Sequence, residues 1–115
     1  ELTDVYDLFQ NFPHLRYIDL SSNQLTSIGN ITAVPHLLKL NLSNNQITSL
    51  KPFTTTHTLT FLQILDLSVN QIKELDALHV PKLRKLYLNK NVIETCVNFQ
   101  GHPNLELLEM RGNKL

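Results

Sequence analysis

The sequence predicts an α/β solenoid, a stack of similar coils with a parallel β-sheet on the concave face and short helical, 3₁₀ or irregular returns on the convex face. Three observations predict it. One pattern of apolar residues recurs five times in register, an asparagine stands at the same place in every copy, and the stretches between copies are short. Internal repetition with a period of about 20–50 residues is the mark of a stacked architecture, in which no single unit buries its apolar face alone.

The copies are "LRYIDLSSNQLTSI", "LLKLNLSNNQITSL", "LQILDLSVNQIKEL", "LRKLYLNKNVIETC" and "LELLEMRGNKL", and they share L-x-x-L-x-L-x-x-N-x-[LI]. They start at Leu15, Leu37, Leu62, Leu83 and Leu105, and their asparagines step by 22, 25, 21 and 22 residues. An opening remnant, "ELTDVYDL", matches the tail of a further copy, with Leu2 in the place of Leu25 and Val5 in the place of Ile28. This is the pattern of the leucine-rich repeat in its short variety. The chain of 115 residues reads as one domain, 1–115, made of a partial repeat over 1–14 and repeats from 15, 37, 62, 83 and 105. Because solenoid ends need covering and the last copy stops short, the chain is expected to be part of a longer one.

Each L-x-L core is expected to be a short strand with side chains alternating between faces. Ile18 and Leu20, or Leu40 and Leu42, point inward. The coil then bends at Asn23, Asn45, Asn70, Asn91 or Asn113. Backbone N–H and C=O groups lose their sheet partners there, and a carboxamide offers both donors and an acceptor. A leucine at that place would leave buried polar backbone unpaired, at about 1–3 kcal/mol per group. The five asparagines are therefore predicted to form a structural ladder within and between coils.

The returns "GNITAVPH", "DALHVPK" and "VNFQGHPN" are short enough for one helical or 3₁₀ turn each. Pro13, Pro35, Pro81 and Pro103 stand two residues before the first leucine of a coil. Proline biases its neighbour to an extended form, which suits entry to a strand. The third coil has Thr60 at that place, and its "KPFTTTHTLTF" is longer. Threonines are poor helix formers, so an irregular bulge is expected there.

Composition excludes several functions. Ten basic and ten acidic residues give zero net formal charge, against the cationic excess that non-specific nucleic-acid binding requires. No apolar run approaches the roughly 18 residues of a membrane span, and no N-terminal signal peptide is evident. Three glycines, with no G-x-G-x-x-G or Walker pattern, make no phosphate cradle. The lone Cys96 forms no internal disulfide, which points to a reducing, intracellular compartment. It takes the place held elsewhere by Ile28, Leu50 and Leu75, and is expected to face the core as a small hydrophobe rather than act as a nucleophile.

His14 and His36 occupy the same place in neighbouring coils, within several Å of each other. No cysteine or carboxylate pair completes a zinc set, so they read as structural or solvated. Two sequons, Asn30-Ile-Thr and Asn41-Leu-Ser, read as chance in a chain rich in Asn, Ser and Thr, and Asn41 lies within a strand. The strand alternation sends outward Tyr17, Asp19 and Ser21; Lys39, Asn41 and Ser43; Ile64, Asp66 and Ser68; Lys85, Tyr87 and Asn89; and Leu107, Glu109 and Arg111. No nucleophile–base pair or acid pair stands out among them, so the prediction is a protein without enzymatic activity, cofactor or small-molecule substrate. Mixed charges, two tyrosines and the exposed aliphatics Ile64 and Leu107 suit a protein-binding face. Its candidate contact residues are Tyr17, Lys39, Ile64, Asp66, Lys85, Tyr87, Leu107 and Arg111. Lys82, Arg84, Lys85 and Lys90 cluster around Tyr87 and would suit an acidic protein partner.

Beyond the generic pattern, "LTDVYDLFQNFPHLRYIDLSSNQLTSI" followed by "PHLLKLNLSNNQITSL" resembles the leucine-rich-repeat subunit of the radial spoke in cilia and flagella. The similar part runs from about Leu2 to Leu50, with L-T-D-[VI]-Y before H-L-R-Y-[VI]-D as its informative string. The resemblance implies a non-catalytic scaffold of the axoneme, a cytoplasmic cytoskeletal setting, and axonemal or radial-spoke proteins as partners. It carries no contact residues with it. Two other readings stay open: a regulatory subunit docking an enzyme such as a protein phosphatase, and a receptor recognition domain.

Overall fold

The computed structural model describes residues 11–28, 34–54, 59–96, 99 and 103–115. The opening remnant with Leu2 and Val5, the Asn30 sequon, Thr55, Thr56 and His57 of the long return, and most of "VNFQGHPN" lie outside them. Each of the five copies contributes one strand: β1 (Tyr17–Asp19), β2 (Lys39–Asn41), β3 (Ile64–Asp66), β4 (Lys85–Tyr87) and β5 (Leu107–Glu109). They form one parallel sheet in chain order. The register is fixed by the repeat itself, since Ile18, Leu40, Leu65, Leu86 and Leu108 stand opposite one another across the sheet. A slip of one residue would turn every leucine outward.

Pairing continues past the short strands. The Leu20 N–H donates to the Asn41 carbonyl, Leu42 to Asp66, Leu67 to Tyr87 and Leu88 to Glu109. Beyond the asparagine a second rung forms, with Gln46 donating to Leu25, Gln71 to Ile47, Val92 to Ile72 and Lys114 to Ile93. The interior is the stacked aliphatic set, in which Leu40, Leu42, Leu65, Leu67, Leu86 and Leu88 are fully buried.

The returns depart from expectation in two ways. "DALHVPK" holds no helical or 3₁₀ turn. Leu78 and Val80 are both buried while His79 between them is exposed, so the segment buries alternate residues, which an extended chain does and a helical turn does not. In the long coil expected to be irregular, Lys51–Phe53 forms a 3₁₀ turn. Pro52 in its first turn presets φ. Phe53 drops fully into the core and its carbonyl accepts from the His79 N–H. The prolines have a different role from the one expected. Leu15, Leu37 and Leu83 donate back to the carbonyls of Phe12, Val34 and Val80, which closes four-residue turns with Pro13, Pro35 and Pro81 second in each. Proline favours that place because its φ is already right. Thr60 takes it in the turn that Leu62 closes on Leu59.

Cys96 is exposed, not core-facing. Ile28, Leu50 and Leu75 are covered by the coil that follows them. The Cys96 side chain is therefore not part of the buried row that Ile28, Leu50 and Leu75 form.

Candidate protein-interaction surface

The turn after each strand is built from two residues. The residue before each asparagine is left-handed: Ser22, Asn44, Val69 and Lys90 have φ between 55° and 58°, and Gly112 has φ 73°. This reversal swings the carboxamide inward. Asn45 Oδ1 accepts the Leu25 N–H at 3.0 Å. Asn45 Nδ2 donates to the Leu20 carbonyl of the preceding coil and the Leu42 carbonyl of its own, each at 3.0 Å. Asn70 repeats this with the Ile47 N–H and the carbonyls of Leu42 and Leu67. Asn91 does so with Ile72, Leu67 and Leu88, and Asn113 with Ile93, Leu88 and Met110. Asn23 donates to Leu20 and Ser21. The carboxamides of Asn45, Asn70, Asn91 and Asn113 thus each tie two coils through backbone groups that no strand serves, and hold the strand ends at fixed separations.

A second set of polar residues tightens the strand exits. Asp19 Oδ1 accepts from the Ser21 N–H and hydroxyl, Asn41 Oδ1 from those of Ser43, and Asp66 Oδ1 from the Ser68 N–H. The Ser21 hydroxyl, then its N–H, then Lys39 nearby, hold the Asp19 carboxyl below its ordinary range. Asx turns of this kind leave one carboxylate oxygen of each aspartate directed away from the backbone bond.

The outward side chains form continuous rows across the sheet. Tyr17, Lys39, Ile64, Lys85 and Leu107 share one row. Asp19, Asn41, Asp66, Tyr87 and Glu109 share the next. Tyr17 is exposed, at 68%. Lys39 is exposed, and Asp66, Lys85 and Tyr87 are half-buried. Ile64 and Leu107 are half-buried rather than exposed, since each stands beside a long lysine stem on the neighbouring strand. Arg111 lies beyond β5, exposed, with its N–H on Asn89 Oδ1.

The basic run around Tyr87 is divided by the fold. Lys82 precedes β4 and Lys90 follows it, so they flank opposite ends of the strand. Arg84 is paired with Glu106 of the next coil. The hydrogen bond to Arg84, then its charge, holds the Glu106 carboxyl below the usual range and raises the Arg84 guanidinium in turn. Sequence spacing could not reveal this partner, which stands 22 positions away. The closeness expected of His14 and His36 is found, and a third ring, Phe61, joins them. The rings of His14 and His36 stack at 6.0 Å, and His36 stacks on Phe61 at 6.3 Å. All three occupy the same place in successive coils, which is the one cue the sequence offered. Among the described residues no group of three or more His, Cys, Asp or Glu is placed to hold a metal ion.

Comparison with known proteins agrees with this architecture. The family described as "Leucine Rich repeats (2 copies)" matches over residues 13–55, 35–78 and 60–101. Leucine-rich repeat-containing protein 23 of Homo sapiens is 33% identical over 114 residues, covering 97% of this chain and 32% of that protein. The chain therefore spans about a third of the length of this curated relative. With five coils in register, a carboxamide ladder between them and family matches across most of its length, the chain belongs to the leucine-rich repeat family.

Proposed function

We propose that the chain is a non-catalytic protein–protein interaction scaffold that presents the open face of its sheet to a partner, and that its setting is the axoneme of cilia or flagella, within the radial spoke. The observation that carries the first part is the pair of outward rows, held in one register across five strands by the ladder. A rigid surface of aromatic, aliphatic and charged groups loses little conformational entropy on contact, which favours protein binding. The setting is supported by the resemblance of residues 2–50 to the spoke subunit, above all by L-T-D-V-Y before H-L-R-Y-I-D. Cytoplasmic and cytoskeletal localisation follows from that setting.

Affinity purification of the tagged protein from intact ciliated cells, followed by mass spectrometry, tests it. Spoke and microtubule-linked proteins should dominate, and their recovery should fall when Tyr17 and Asp66 are both replaced by charge-reversing or charge-adding residues. Enrichment of one soluble enzyme such as a phosphatase, with no axonemal protein, would overturn the axonemal setting and favour a regulatory subunit.

A further inference from the structure

The first outward row alternates in kind. Tyr17, Ile64 and Leu107 stand on β1, β3 and β5, and Lys39 and Lys85 stand between them on β2 and β4. Neighbouring strands lie about 4.8 Å apart, so apolar side chains recur every ~9.6 Å with an ammonium group midway. Two residues along the strands, about 6.7 Å away, the second row carries three carboxylates, Asp19, Asp66 and Glu109, beside Asn41 and Tyr87. The geometry points to one kind of partner: an α-helix lying across the strands along the Tyr17–Leu107 row, apolar at every seventh position, acidic three or four residues after each, and basic on the flank that faces Asp66 and Glu109. This rests on the reading of the open sheet face as the contact surface, and it adds the class of partner.

The period selects a helix. Seven helical residues rise about 10.5 Å, within about 1 Å of the apolar spacing, and the side chain three or four residues on falls about 5 Å along the axis, opposite a lysine. An extended segment repeats on one face every 6.6–6.8 Å or so, which falls out of step with both spacings after a single interval. Helix recognition in grooves uses apolar anchors at this seven-residue interval. Charge fixes which helix docks and in which direction. Arg84 is committed to Glu106, so the partner's carboxylates are directed to Lys39 and Lys85. Asp19 and Asp66 are each held through one oxygen to a serine two residues on, which fixes the acidic row in place.

The test uses the 115-residue chain and fluorescein-labelled helical peptides of about 21 residues, long enough for three apolar positions seven residues apart. The first peptide carries Leu at every seventh position, Glu three residues after each, Lys on one flank and Ala elsewhere. Fluorescence anisotropy should show saturable binding, weakened about tenfold or more in the K39E/K85E double variant. A peptide with Lys in place of Glu should recover binding to that variant. A peptide of the same composition with its Glu residues moved to the opposite face should bind the natural chain about tenfold more weakly or worse, and so should an extended peptide of alternating Leu and Glu. Should circular dichroism show K39E/K85E unfolded, K39Q/K85Q is expected to show the same loss. Equal binding of the rearranged peptide, or unchanged binding by either double variant, overturns the inference. If Tyr17→Glu abolishes partner recovery from cells while no helical peptide binds, the sheet face stands as the contact surface and the helical class falls. If that variant changes no recovery either, both fall together.

Discussion

The middle coils and the last coil carry the same motif in the same register, yet they are not equally buried. Leu40, Leu65 and Leu86 are fully buried, whereas Leu108, opposite Leu86 on β5, is 37% exposed. Asn70 and Asn91 are buried, whereas Asn113, with the same set of bonds, is half-buried. The motif therefore fixes the path of the chain, and the following coil supplies the burial. The same carboxamide is enclosed in the middle coils and partly open in the last of the five. Stability in this molecule belongs to interfaces between coils.

The largest expected effect separates Asn70 from Asn113. Asn70→Leu strands the Ile47 N–H and removes the donor to the carbonyls of Leu42 and Leu67. At about 1–3 kcal/mol for each buried group left unpaired, the loss is about 4 kcal/mol or more. That is a large share of the 5–15 kcal/mol or so that a typical domain possesses. Asn113→Leu removes the same kind of bonds from a half-buried carboxamide and should cost less, about 1–3 kcal/mol. Urea unfolding of both variants measures the contrast, and an unchanged midpoint for Asn70→Leu would count against the ladder. The next contrast is apolar. Leu65→Ala should cost about 2–5 kcal/mol, by lost transfer energy and the cavity left behind. Leu108→Ala, already partly in water, should cost about 1 kcal/mol or less. Equal losses would mean that the last coil is as well packed as the middle ones.

Most of the scaffold was legible in the sequence because one constraint is repeated. Each of the five strands, their parallel order and the buried face follow from L-x-x-L-x-L, since only one register buries every leucine. The asparagine was legible through the chemistry of its side chain. What could not be read is what depends on two distant coils at once. Glu106 neutralises Arg84, Phe61 extends the stack of His14 and His36, and Cys96 is exposed. The 3₁₀ turn at Lys51–Phe53 was hidden by its threonine-rich neighbours, although Pro52 at its start was a local cue. On the open face, spacing gave the identity of each outward residue. The depth of Ile64 and Leu107 was set by neighbouring lysine stems that no single coil reveals.

The left-handed place before the asparagine sharpens the comparison further. The last coil fills it with Gly112, at φ 73°, and the third coil with Val69, at φ 56°. A β-branched residue there is strained by about 1–2 kcal/mol. Val69→Asn, which matches Asn44 in the second coil, should therefore stabilise the chain by about 1 kcal/mol. The reverse change, Gly112→Val, should destabilise it by a similar amount, with its Cβ 3.4 Å from Lys90 Cγ. Thermal unfolding of the two variants should move in opposite directions. Movement in the same direction would show that the backbone at this place is not set by the turn.

The smallest effect concerns the bond between the fourth and fifth coils. Arg84 and Glu106 are both exposed, so their pairing belongs to the weak class of surface ion pairs. The Glu106 carboxyl is nevertheless held below its ordinary range, first by the hydrogen bond from Arg84 and then by its charge. A carboxyl depressed in the folded state stabilises that state above its unfolded pKa, and the contribution disappears as pH falls through the depressed value. The effect should be local, because the pair joins only the fourth and fifth coils. On acidification below the ordinary glutamate range, amide protection at Leu107, whose N–H donates to the Arg84 carbonyl, should fall before that at Leu42 or Leu67. In Arg84→Gln the Glu106 carboxyl should titrate upward, toward its ordinary range, and the early loss at Leu107 should move to higher pH with it. NMR titration with hydrogen exchange reads both. If Glu106 shifts and Leu107 protection does not follow, the last coil is held by its carboxamide alone, and its difference from the middle coils is one of burial rather than charge.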